Sequence, residues 1–202
     1  MLEQKQLDEC FESPPQDVQA LLADAANRAD ALRLQDDATP VTFHRSQHVL
    51  VYHSLRRLIS ELPAANRWLC EWGAGLAETA CLWSLLGGRA AAIELDALLL
   101  RTARELAATH NAVVDFAAGN FALPVGPQLV EPLDQLDHFT FAGPDGHRQL
   151  GIPPDQFDVV FVYPWPGERR LIEDLFDHVA KPAAHLLQFH GGDELTLHQK
   201  SR

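Results

Sequence analysis

The segment Trp68-Leu-Cys-Glu-Trp-Gly-Ala-Gly-Leu-Ala-Glu78 concentrates the residue types best suited to chemistry. An apolar run carries the acid Glu71 near its end, and Gly73-Ala74-Gly75 follows at once. Glycines spaced in this way allow a tight turn and let a ligand lie against bare backbone, beside the N-terminus of the next helix. Twenty-one residues beyond Gly73 a second apolar run ends in Glu94, with Leu95 after it. A carboxylate at that strand end is placed to accept both hydroxyl protons of an adenosine ribose. Strand, glycine turn, helix, strand and acid, at this spacing, point to an adenosine cofactor at the carboxyl edge of a parallel sheet.

The charges decide which adenosine cofactor fits. A dinucleotide fold carries a third glycine three positions after the second, for close packing near the pyrophosphate. Glu78 stands there instead, and a carboxylate repels a pyrophosphate. Glu71, ahead of the glycines, suits a ligand with positive charge, and S-adenosylmethionine carries both an ammonium and a sulfonium. An NAD(P)-binding, dehydrogenase-like domain is the alternative enzyme reading. A non-catalytic relative of the same fold, kept as an interaction module, is the alternative of a different class.

These residues need a scaffold, and the periodicity supplies one. Short apolar runs at 67–71, 89–94, 112–117, 157–163 and 185–190 alternate with helical patterns at 76–86, 97–109 and 168–179. Gly87-Gly88 and Asn111 stand where helix C-caps belong. Such alternation implies right-handed βαβ units and a doubly wound, mostly parallel sheet covered on both faces. The expected fold is therefore a three-layer α/β/α sandwich, strand order 3-2-1-4-5, over residues 64–202. Residues 1–63 read as a helical extension, with helices at about 15–34 and 46–62 separated by Thr39-Pro40. Residues 122–156 form a long insert between the third and fourth strands. Within it a helical turn or two is expected at 128–136, and a hairpin at 138–152 turning on Gly143-Pro-Asp-Gly146.

Four motifs in chain order then carry a family resemblance: Glu71-x-Gly73-x-Gly75; Glu94; Gly119-Asn120-Phe121 after the third strand; and Asp158-Val-Val-Phe-Val-Tyr-Pro-Trp-Pro166 at the fourth. Over about residues 64–190, the insert excepted, the chain resembles the class I S-adenosylmethionine-dependent methyltransferases. The resemblance implies that Gly73, Ala74 and Gly75 border the methionine and adenosine, and that Glu94, with Leu95 beside it, holds the ribose. It places Asn120, flanked by Gly119 and Phe121, where many members have an Asp that contacts the adenine amino group. Tyr163-Pro-Trp165-Pro falls where the family sets residues beside the transferable methyl, as catalytic groups or as pocket walls. It is only loosely like the Asn/Asp-Pro-Pro-Tyr of amino-methylating members. After the fifth strand about a dozen residues remain. The family's last helix and antiparallel strand pair would not fit there, so a C-terminally shortened domain is expected.

Other residues point to packing. His44 and His48 share i, i+4 spacing, but no Cys or acid stands at a matching distance, so incidental surface histidines and no metal are expected. Cys70 and Cys81 read as small buried hydrophobes, and Trp72 as either the floor of the cofactor site or a core residue. His190-Gly-Gly-Asp193 reads as loop punctuation past the last strand. Three cysteines without a CxxC, and a start lacking a basic and apolar leader, fit a cytoplasmic protein. No apolar run reaches membrane-spanning length. The formal charge of −12 disfavours a nucleic-acid acceptor, and a small molecule or a protein side chain is expected instead. Half of that excess sits in the first 40 residues, with nine acids against three bases.

Overall fold

The structure, a computed structural model, describes residues 1–5, 12–35, 48–122 and 139–201. Its centre is one seven-stranded sheet: β1 (Leu2–Lys5), β2 (Trp68–Trp72), β3 (Arg89–Glu94), β4 (Val114–Ala118), β5 (Val159–Val162), β6 (His185–Gly191) and β7 (Glu194–Lys200). The spatial order is β1-β7-β6-β5-β2-β3-β4. The expected order 3-2-1-4-5 describes only the parallel part, β4-β3-β2-β5-β6, and two antiparallel edge strands must be added.

After β6 no helix and no strand pair follow among the described residues, as the shortened C-terminus implied, but one antiparallel strand does. Gly191 and Gly192 take left-handed backbone, with φ of 96° and 55°, and turn the chain back directly. Gly191 pairs with Glu194, so His190-Gly-Gly-Asp193 is a hairpin turn rather than a trailing loop. β7 then runs antiparallel to β6 within the last residues. On its far side it pairs with β1, Leu2 opposite Lys200 and Lys5 opposite Leu197. The first 63 residues thus supply an edge strand as well as helices.

Among the described residues six α-helices cover the sheet. α1 (Gln16–Gln35), α2 (His48–Glu61), α3 (Glu78–Leu85) and α4 (Ala97–Thr109) lie on one face; α5 (Gly146–Leu150) and α6 (Arg169–Val179) lie on the other. Strand alternation assigns side chains to these layers. Leu69, Ala92, Phe161 and Leu187 face the first layer, while Cys70, Ile93, Val162 and Leu186 face the second. α3 is buried nearly all round because it is sandwiched between the sheet and α1 and α2, with Leu82 and Trp83 fully buried. Arg28 and Asp24 of α1 reach Glu105 and His110 at the end of α4, at 3.3 and 3.0 Å.

The expected hairpin at 138–152 is also corrected. Asp145 accepts a hydrogen bond from the Arg148 N–H at 3.0 Å and so caps the N-terminus of α5; Gly143-Pro-Asp-Gly146 is a helix entry, not a strand turn. Residues 139–142 form no strand. The helical turn expected at 128–136 lies outside the described residues, as does His44. No helix among the described residues is long and apolar enough to cross a membrane.

Candidate functional site

The strand direction reverses its progress at β2, which has β3 on one side and β5 on the other. Open α/β sheets bind ligands at the carboxyl ends of the strands flanking such a switch point. The glycine turn leaves β2 there. Gly73 and Gly75 have φ of 63° and 55°, and Ala77 repeats the left-handed conformation at 54°. The turn therefore alternates left-handed residues at 73, 75 and 77, the third of them an alanine that sequence reading passed over. The Ala74 N–H donates to the Ile93 carbonyl at 3.0 Å, which fastens the turn to β3.

Glu94 and the turn meet. One carboxylate oxygen of Glu94 accepts from the Gly75 N–H at 2.7 Å, and the other accepts from the Asp96 N–H at 2.8 Å. Burial pushes the Glu94 carboxyl above its ordinary pKa, and the backbone donors oppose that rise. Asp96 caps α4 through bonds from the Leu98 and Leu99 N–H groups. Glu94 and Asp96 are thus separate in role, one facing the turn and one facing the helix. Leu95 between them is 43% exposed, unusual for a leucine at the edge of a core.

Glu71 is buried, and its carboxylate accepts from the Ala80 N–H at 2.7 Å, inside the first turn of α3. Burial pushes its pKa up to about 8, and the nearby Glu78 charge pushes the same way. Glu78 itself is paired: His48 Nε2 lies 2.9 Å from its carboxylate. The expectation that His48 is an incidental surface histidine is thereby corrected, since it is mostly buried and ties the start of α2 to the start of α3. The contact joins residues 30 positions apart, so no local spacing could announce it. His53 likewise bonds the Glu12 carbonyl at 2.7 Å. Among the described residues no group of three His, Cys, Asp or Glu is placed to hold a metal.

Trp72 is 1% exposed and stacks on Phe121, centroids 5.2 Å apart and planes 11° apart, so it packs beneath the site. Phe121 lies over the turn: a Cβ on Gly73 would sit 3.6 Å from its ring. Phe121 then meets Phe139 edge-on at 5.8 Å, and Phe139 meets Phe141 at 5.1 Å. The thiols of Cys70 and Cys81 are buried and pushed well above their usual pKa, as expected of core cysteines.

The expected adenine contact, Asn120, is used inside the chain. Its side-chain amide donates to the Thr140 and Ala142 carbonyls, and its oxygen accepts from the Ala122 N–H at 2.8 Å. Its backbone N–H donates to the Pro144 carbonyl at 2.7 Å, and its carbonyl accepts from the Gly146 N–H at 3.0 Å. The Gly119 N–H donates to the Glu94 carbonyl at 2.9 Å. Tyr163 packs its ring edge-on against Phe189 at 4.9 Å, and its hydroxyl points to the backbone at Gly191. The Trp165 N–H donates to the buried Glu168 carboxylate at 3.1 Å, closing the loop into α6.

Gly73, Gly75, Glu94 and Leu95 are therefore brought to one edge, with Phe121 above the turn and Asn120 committed to the chain itself. No protein-family model matches the sequence. No curated protein matches it either. Solved structures do resemble it. An RNA methyltransferase from Salinibacter ruber in complex with S-adenosyl-L-homocysteine aligns with TM-score 0.51 and 13% identity, over 78% of this chain and 92% of that one. The O-methyltransferase TomG from Streptomyces achromogenes, in complex with SAM, aligns with TM-score 0.52 and 17% identity, over 87% of this chain and 66% of that one. A methyltransferase from Geobacter sulfurreducens aligns with TM-score 0.53 and 13% identity over 94% and 92%. This chain spans about two thirds of the length of the O-methyltransferases and most of the length of the other two.

Proposed function

We propose that this chain, which has the class I methyltransferase fold, works as an S-adenosylmethionine-dependent methyltransferase. The observation that carries the reading is the 2.7 Å contact between the Glu94 carboxylate and the Gly75 N–H. It sets the acid that would receive ribose hydroxyls directly against the glycine turn that would receive the rest of the donor, at the switch point of the sheet. Neighbours of the same fold are crystallised with S-adenosylmethionine or S-adenosylhomocysteine, which supports the choice among adenosine cofactors.

The residues present fit that group at its ribose end. Gly73 and Gly75 leave bare backbone where the chain turns left-handed, and Ala74 between them keeps its side chain short. Leu95 offers a half-exposed apolar surface next to Glu94. Glu78, at the position of a dinucleotide fold's third glycine, is buried against His48, which disfavours a pyrophosphate there. When bound, S-adenosylmethionine supplies an activated methyl on a sulfonium; the protein's part is to align the acceptor and exclude water. Gly119 and Phe121 hold the β4 end beside the turn. Tyr163 and Trp165 wall the acceptor side at the end of β5, where an aromatic surface suits a flat or cationic group.

The acceptor reading rests on charge. At −12 overall, a small molecule or a protein side chain is favoured over nucleic acid. Titration with S-adenosylhomocysteine tests the donor, and incubation of labelled donor with fractionated lysate tests the acceptor. Label in the small-molecule or protein fraction is expected, and label in RNA would overturn the acceptor reading.

A further inference from the structure

Residues 139–146 form a strap that crosses the carboxyl edge from Phe121 to Leu95. Three glycines mark its points of contact. A Cβ on Gly143 would stand 2.7 Å from Leu95 Cδ1, and one on Gly146 would stand 2.4 Å from Ile93 Cγ2. A Cβ on Gly119, beneath the strap, would stand 2.7 Å from Gly146 Cα and from the Pro144 carbonyl oxygen. Gly143 also has φ of 99°, a conformation that side chains rarely adopt. Asn120 fastens the strap to the end of β4. Asn120 bonds the carbonyls of Thr140, Ala142 and Pro144 and the N–H of Gly146, using both amide hydrogens and both of its main-chain groups.

We propose that Asn120 is a positioning residue whose amide pins this strap against Leu95 and Gly119, so that the strap's backbone, and not the Asn120 side chain, forms the wall facing the cofactor's purine. The inference rests on the S-adenosylmethionine reading above. It makes a substitution prediction opposite in sign to direct contact. An Asp at this position would accept from a purine amino group at least as well as Asn does. Against two strap carbonyls it has no hydrogens to donate, and it leaves both carbonyls unpaired beside a negative charge. Asn120→Asp should therefore release the strap, and Gly143→Ala should do the same from the Leu95 side without touching Asn120.

The test measures amide hydrogen exchange across the chain, and affinity for S-adenosylhomocysteine and for its inosine analogue, in the parent and both variants. Both variants should exchange faster at 139–146 while β2 and β3 keep their protection, which shows that the fold is intact. Both should bind S-adenosylhomocysteine about tenfold or more weakly. Their preference for adenine over hypoxanthine should shrink together. Asn120→Asp that binds like the parent, or that loosens the strap with affinity and preference unchanged, overturns the proposal. Parent protein that binds no S-adenosylhomocysteine overturns the donor reading itself, a result distinct from variants that match a binding parent.

Discussion

Glu94 satisfies two backbone N–H groups, at Gly75 and Asp96, and this sets what its removal does. Glu94→Ala would leave both donors unpaired, so it should lower the melting temperature as well as weaken S-adenosylhomocysteine binding by about tenfold to several hundredfold. Glu94→Gln keeps an acceptor oxygen but removes the charge, and should cost roughly tenfold in affinity with a smaller thermal shift. Asp96→Ala is the contrast: loss of the α4 cap should cost about 1 kcal/mol of stability and leave binding unchanged. Calorimetric titration with thermal melts separates the two; binding lost in Asp96→Ala and kept in both Glu94 variants would refute the assignment. Glu71 gives a pH prediction. Burial raises its pKa from 4.5 to about 8, so between those values the native chain holds a proton that the unfolded chain has released. Stability must then fall as pH rises through that window. Glu71→Gln, neutral throughout, should flatten the fall, measured as urea midpoints at about pH 5, 7 and 8.5. An unchanged slope would show that Glu71 is charged in the fold. Of these residues, Glu71, Gly73, Gly75 and Glu94 were legible because each sits at a fixed offset from an apolar run. The partners of His48 and Asn120 were not, because Glu78 and residues 140–146 come from distant segments that only the fold brings together.

At the scale of elements, the five parallel strands were readable because strands buried on both faces are continuous apolar runs between helical patterns. The edge strands lacked that signal. β1 is four residues, three of them exposed, and β7 reads Glu-Leu-Thr-Leu-His-Gln-Lys, polar at all but its two leucines. β1 joins the sheet only through β7, which lies between it and β6. Gly143-Pro-Asp-Gly146 misled for a related reason: Gly, Pro and Asp serve a hairpin turn and a helix N-cap alike, and only the Asp145–Arg148 bond decides between them. Leu197 pairs with Leu187 on one side and Lys5 on the other. Leu197→Pro removes a ladder donor from an interior strand and should abolish exchange protection in β1 and β7. β2, β3 and β4 should stay protected. Protection retained at Leu2–Lys5 would show that β1 does not depend on β7.

Across the whole molecule three features converge: a switch-point edge, a left-handed glycine turn, and an acid in contact with it. Fold alone does not assign an activity, because one scaffold hosts many, so the donor must be tested directly. The most direct measurement is isothermal titration of the full chain with S-adenosylhomocysteine, then with NAD. Saturable binding of S-adenosylhomocysteine at one site per chain is expected, with no displacement by NAD and weaker binding by Glu94→Gln. Saturable NAD binding without S-adenosylhomocysteine binding, or binding of neither, would contradict the S-adenosylmethionine reading.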